Sequence, residues 1–369
     1  MTIYYVDPVS GNDGTLDGTA PTDEGGGVGP WATFQHALDN AIAGDNVRLM
    51  TTGTESITAV IDADTQNGTA SSSIIYEAAD SSGDAHTDGT RYHIQATASI
   101  ANVLNFGGAS GGQYCEFRFI DFDGNSNTTS HGIDATVSDD GLGSSMIGCR
   151  VRNNGGDGAN VRGSSAFGLN FLACEIDGNT GSGLAAQSTA SSRFSYSLIQ
   201  ANDIHDNGGD GIYTAGIGTT ILANRIYGNT GSGIEIPGAT DRLRILQNTI
   251  YGNGADAITW VTGAVIQLHG NSLANSGGYG INGVGLPQTA SNNHTNGNTT
   301  AATNFASMPG FANQTGDPLF ADPGNSDFTP SSLSPLVGAS LAGENIGAVS
   351  PATGGGLLTH PGMSGGMRG

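Results

Sequence analysis

Seven segments between Ile120 and Ile281 carry one short pattern, and their starts at Ile120, Cys149, Cys174, Asn202, Asn224, Asn248 and Asn271 lie 29, 25, 28, 22, 24 and 23 residues apart. The plainest copies are Asn202-Asp-Ile-His-Asp-Asn-Gly-Gly-Asp-Gly-Ile212, Asn224-Arg-Ile-Tyr-Gly-Asn-Thr-Gly-Ser-Gly-Ile234 and Asn248-Thr-Ile-Tyr-Gly-Asn-Gly-Ala-Asp-Ala-Ile258. A unit this short cannot bury an apolar face alone, so copies must stack and share a core. Two residues after each start stands Phe122, Val151, Ile176, Ile204, Ile226, Ile250 or Leu273. Alternation of period two turns these inward and their neighbours outward, as in a strand.

Five residues after the start come Asn125, Asn154, Asn179, Asn207, Asn229 and Asn253. Asparagine tolerates left-handed backbone, so these are expected at sharp corners, bonded to one another along the column. The glycines that follow let the chain turn into the next strand. A leucine-rich repeat would need a leucine-spaced signature and a propeller longer blades. The expected fold is therefore all-β, a right-handed parallel β-helix of roughly ten coils, about 50 Å tall at the strand spacing.

Three regions are expected. Residues 1–50 hold a strand and a capping helix over Trp31–Ile42, whose Phe34, Ala37, Leu38, Ala41 and Ile42 share one face, before a strand from Asn46 to Met50. Residues 51–350 form the coils and a closing segment. Residues 351–369 are a Gly/Met-rich tail with little to bury, expected to order only against a neighbour.

Composition agrees with a coil that turns often and packs small side chains: 61 of 369 residues are glycine and 7% are aromatic. The formal charge is −22 and all eleven basic residues are arginine. Such a field excludes phosphate-tracking surfaces, so no nucleic-acid partner is expected, and it disfavours anionic polysaccharides unless a divalent cation bridges them. No apolar run reaches about 18 residues, so no membrane span is expected. The start, Met1-Thr-Ile-Tyr-Tyr-Val-Asp-Pro8, reads as a strand rather than a cleaved secretion signal; a virion location, or extracellular after non-classical release, is expected. Cys115, Cys149 and Cys174 have no metal-ligand spacing, and Cys149 and Cys174 are expected as inward free thiols on neighbouring coils.

Stacking converts sequence offsets into surface columns. One position after the starts come Asp121, Arg150, Glu175, Asp203, Arg225, Thr249 and Ser272; three positions after come Asp123, Arg152, Asp177, His205, Tyr227, Tyr251 and Ala274. Arg150, Arg152, Glu175, Asp177, Asp203, His205, Arg225, Tyr227 and Tyr251 are the candidate glycan-binding set, tyrosine faces stacking on sugar rings and charged forks bonding hydroxyls. Glu175, Asp177, Asp203 and His205 are the catalytic candidates, as acid and base of a glycosidase. The plain alternative is a solvated face whose opposite charges steady strand pairing. A further column holds Asp157, Asp210 and Asp256, the only candidate calcium ligands. Serine-bearing coils separate them by roughly 10 Å, wide for one coordination shell, and no other cofactor is expected.

The opening Tyr5-Val6-Asp7 with Ser10–Gly14, then Pro30–Phe34, Ala37-Leu38 and Ala43–Asp45, resembles the N-terminal cap of pectin-lyase-like right-handed β-helix proteins. The repeats from Ile120 to Ile281 resemble that superfamily's coil, and so do Asp317–Pro323, Asp327-Phe328, Ser334-Pro335 and Ile346–Ala348 near the end. The resemblance implies the fold. It leaves function open, because lyases, hydrolases, epimerases, phage tailspikes and passive adhesins share this architecture. Lyases of this superfamily set an arginine or lysine base beside acidic calcium ligands; no motif of that kind is matched, and the polygalacturonase-like signatures are missing, so no catalytic residue is carried over.

The leading expectation is a structural or adhesion β-helix, a phage or virus particle component with a glycan-facing surface and a docking tail at 351–369. Resemblance to tailspikes implies a homo-oligomer, with other copies or particle proteins as partners. The alternatives are a polysaccharide lyase or glycoside hydrolase working in a groove, and a passive bacterial surface β-helix.

Overall fold

The computed structural model describes all residues except 64–66, 107–112, 136–142, 162–167, 187–194, 215, 239, 262–265, 285–286, 288, 303–312, 340–344 and 349–369. The tail expected to dock, 351–369, thus lies outside the described residues. Each coil contributes one short strand to each of three parallel sheets, of eleven, eleven and ten strands. In one turn the chain passes through Leu198–Gln200 in the first sheet, Asp203–His205 in the second and Ile212–Tyr213 in the third, then returns to the first at Thr220–Leu222. The fold is the all-β parallel solenoid that the repeat predicts.

Pairing between coils follows the repeat offsets. Asp203, Ile204 and His205 sit opposite Glu175, Ile176 and Asp177 on one side and Arg225, Ile226 and Tyr227 on the other. The middle residue of each triplet is fully buried, while its flanks are partly exposed. This is one continuous apolar column, and it explains why the register is tightly set: a slip by one residue would bury every charge.

The corners correct one expectation. Asn154, Asn179, Asn207, Asn229 and Asn253 do not carry the left-handed backbone; the residue before each of them does, at Asn153 (φ 55°), Gly178 (63°), Asp206 (53°), Gly228 (64°) and Gly252 (61°). Asn125 alone of the column is itself left-handed, at φ 47°. The others point inward as a ladder: the Asn179 amide donates to Asn207 Oδ1 at 2.9 Å, that of Asn207 to Asn229 at 2.9 Å and that of Asn229 to Asn253 at 3.0 Å. Each amide nitrogen also reaches a strand carbonyl, as Asn207 does to Ile176 at 3.1 Å, so these buried groups are satisfied. A second ladder at the preceding corner joins Asn202, Asn224, Asn248, Asn271 and Asn293 at 2.9–3.0 Å. There too a left-handed residue precedes the asparagine, at Ala201 and Ala223. Gly211 shows why small residues follow the turn: a Cβ there would stand 2.4 Å from Ile226 Cγ2 and 2.7 Å from the Gly233 carbonyl.

At the base, helix α1 (Phe34–Asn40) buries Phe34, Ala37 and Leu38, and Thr33 caps it by accepting the His36 N–H. Ile42, expected on that face, lies beyond the helix end and is 59% exposed. Glu55 accepts the Phe34 N–H at 3.1 Å and the Tyr92 hydroxyl at 2.6 Å, tying the helix to the coil beneath it. Cys149 and Cys174 are buried free thiols, as expected.

Candidate functional site

The second sheet displays the two charged columns side by side, with the predicted neighbours. Their contacts run diagonally as often as straight across. Arg150 from the first column grips Asp177 of the other with both Nε and Nη2 at 2.8 Å, and it also meets Glu175 at 3.4 Å. Arg152 reaches back to Asp121 at 3.0 and 2.9 Å and to Asp123 at 3.1 Å. Arg225 holds Asp203 straight across in a two-pronged pair. All five carboxylates at the centre of this face are thus held by arginine.

Glu175 is the hub. It meets Arg91 at 3.0 Å, Arg150 and His205, whose Nε2 lies 3.9 Å away. The nearby His205 imidazole and the two guanidinium groups outweigh burial and hold its carboxyl down to about 2. His205 is raised in turn: burial opposes the charge, but Glu175, Asp206 and Asp177 together outweigh it. Asp123 is held well below the usual range, where bonds from His93, Asn153, the Asn125 N–H and Arg152 overcome burial. Arg150 is pushed upward chiefly by its bond to Asp177.

Glu175, Asp177 and His205 bring one oxygen or nitrogen each within 4.8 Å of one another, the one such three-residue cluster among the described residues. Arg150 bonds to both acids of this cluster, placing a guanidinium where a cation would compete for the same oxygens. The calcium candidates are not brought together. Asp157, Asp210 and Asp256 each turn one oxygen to the N–H of the next coil, at Ser182 (2.8 Å), Ser232 (2.6 Å) and Tyr279 (2.6 Å). They serve as rungs between coils, and burial raises Asp210.

The tyrosines sit elsewhere than on an open groove. A C-terminal hairpin, Phe320–Asp322 with Asp327–Pro330, folds back onto the second sheet. The buried Phe328 ring lies 5.1 Å from Tyr227 and 5.2 Å from Tyr251, and Phe320 is 6.0 Å from Tyr251. Tyr227 stacks in parallel on His205 at 4.7 Å. Further along, the Ala348 N–H bonds to Thr249 Oγ1 at 3.0 Å, which buries the upper part of the first column. Beside the hairpin a cleft of about 350 Å³ is lined by Tyr251, Asn275, Asn296, Asp317, Leu319 and Phe320.

The repeat did not reveal two members of the network. Arg91 and His93 lie on the coil before the first legible copy, and His93 Nε2 is 3.4 Å from Asp123. The alternation in Tyr92-His-Ile-Gln-Ala96 is the signal that would have placed them.

A family described as the right-handed beta helix region matches residues 114–300. The chain belongs to that family. This β-helix protein is also similar to solved structures: the pectate lyase Pel9A, at TM-score 0.64 and 14% identity over 94% of this chain and 96% of that one. Geobacillus virus E2 ORF18 follows at TM-score 0.50 and 14% identity, over 76% of this chain and 56% of that one. No curated protein matches its sequence. At such identities the likeness is one of fold. No helix among the described residues is long and apolar enough to cross a membrane.

Proposed function

We propose that this β-helix protein is a non-catalytic structural or adhesion component of a virus particle, presenting its second sheet to a glycan and docking through 351–369. The observation that carries the reading is the pairing of all five central carboxylates with arginine. Glycoside cleavage needs an acid poised near neutral pH. Glu175, held down to about 2, is a poor proton donor, and Arg150 pushed upward is a poor base. Fixed forks of guanidinium and carboxylate do suit hydroxyl recognition, and the cleft beside Phe320 adds ring faces and amides. The viral and pectate-lyase neighbours share the fold and do not choose between roles.

A second reading, a polysaccharide lyase or glycoside hydrolase centred on Glu175, Asp177, Asp203 and His205, draws on the convergence of Glu175 and His205. A glycan array and a polysaccharide-cleavage panel on the same sample test both. Binding without shortening of the polymer is expected, weakened roughly ten- to hundredfold by Arg150→Ala, the loss of charged hydrogen bonds. Cleavage that vanishes in folded Asp177→Asn or Asp203→Asn would establish the enzyme instead.

A further inference from the structure

Charge is sorted among the three sheets. The second turns out Asp121, Asp123, Glu175, Asp177 and Asp203, and the third turns out Asp134 and Glu235. The first sheet differs. Its seven strands from Ser145–Ile147 to Thr289–Ser291 turn two residues each outward, and none of these fourteen is acidic, in a chain with 33 acids. On the same sheet below them, Glu77 and Glu116 are both ion-paired to Arg118.

Within the acid-free stretch one outward column carries the run Ile147, Leu172, Gln200, Leu222 and Leu246, each opposite the next in register, and continues through His269 to Ser291. All five are partly exposed. The run from Ile147 to Leu246 is symmetric in character about Gln200, with two aliphatic residues on either side, and Arg118 and His269 stand in register at its two ends. A second copy turned about a two-fold axis through Gln200 would set Leu172 against Leu222, Ile147 against Leu246 and the Gln200 amides against each other. An isologous interface requires that self-complementarity. A body of charge −22 repels its own copies, and an acid-free face is where that repulsion is weakest.

We propose that this face of the first sheet is the contact between two copies of the chain, paired antiparallel about Gln200. The inference is independent of the glycan reading. The test is light scattering of the full chain together with variants. A dimer is expected, dissociating in Leu172→Glu/Leu222→Glu while the circular dichroism of the folded coils is unchanged. Gln200→Cys is expected to form an oxidised, cross-linked dimer, whereas Thr259→Cys on the third sheet is not. A monomer at every concentration overturns the proposal, as does a dimer indifferent to the folded double variant. If the double variant fails to fold, the cross-link decides: dimers trapped at Thr259→Cys and not at Gln200→Cys overturn it.

Discussion

Phe328 lies with its ring 5.2 Å from that of Tyr251, so a hairpin that follows the last coils closes over an aromatic column laid down far earlier in the chain. The same ring is 5.1 Å from Tyr227, and Arg225 Nη1 reaches the Ser326 carbonyl at 3.3 Å. The hairpin is thus held by ring packing at its centre and a charged bond at its edge.

Removing that ring should free the hairpin without unwinding the coils. Phe328→Ala is expected to cost about 3–5 kcal/mol locally, in line with emptying a buried aromatic site. Hydrogen exchange should rise across Phe320–Pro330 while Asp203–His205 stays protected. Equal loss in both segments would show that the hairpin and the coils unfold as one unit.

The inner asparagine ladder should matter more than any one surface ion pair. Asn207→Ala removes the acceptor of both the Asn179 N–H and its side-chain amide, at 3.2 and 2.9 Å. Stranding buried donors costs about 1–3 kcal/mol each. A urea titration should therefore show a loss of about 2–6 kcal/mol, with the midpoint falling and the slope unchanged; a midpoint left in place would remove the ladder from the account of stability.

Glu55 makes the base of the molecule sensitive to pH. Burial dominates over its bonds from Tyr92 and the Phe34 N–H and raises its carboxyl to about 7. Folding therefore takes up a proton between the ordinary value of 4.5 and about 7. Stability from this group is full below 4.5 and is lost as pH rises through about 7, by up to about 3 kcal/mol. Melting temperatures across that range should fall with rising pH in the native chain. Glu55→Gln should flatten the slope, and an unchanged slope would assign it to other groups.

The Glu175–His205 pair works with the opposite dependence on each partner. His205 is raised above 6.5, so its contribution is full below that value and lost as pH climbs through the raised one. Glu175 contributes above 4.5 and loses that contribution as pH falls through about 2. NMR titration of His205 should report a value above 6.5 that drops in Glu175→Gln. An unmoved titration would mean that Asp206, 2.9 Å from His205 Nδ1, and Asp177 hold the imidazolium without Glu175.

How much was legible depends on whether a contact repeats. The inward column of Val151, Ile176, Ile204 and Ile226 and the outward columns beside it were readable because coil neighbours recur at a nearly constant separation. The asparagines were legible as a ladder and misread as corners, since the left-handed position falls to Asn153, Gly178, Asp206, Gly228 or Gly252, residue types that share no single side chain. Arg91 and His93 escaped because the pattern before Cys115 is too irregular to align with the copies that follow.

From sequence alone came the solenoid, its inward row from Phe122 to Leu273 and the facing of Arg150, Glu175, Asp203 and Arg225, because a periodic chain stacked on itself has one simple way to bury its apolar positions. Tertiary structure alone decided that Arg150 grips Asp177 across the diagonal and that Phe328 covers Tyr227 and Tyr251. The first is a choice of side-chain rotamer among several acids within reach of one guanidinium. The second is the return of a non-repeating segment, whose landing place no period in the chain encodes.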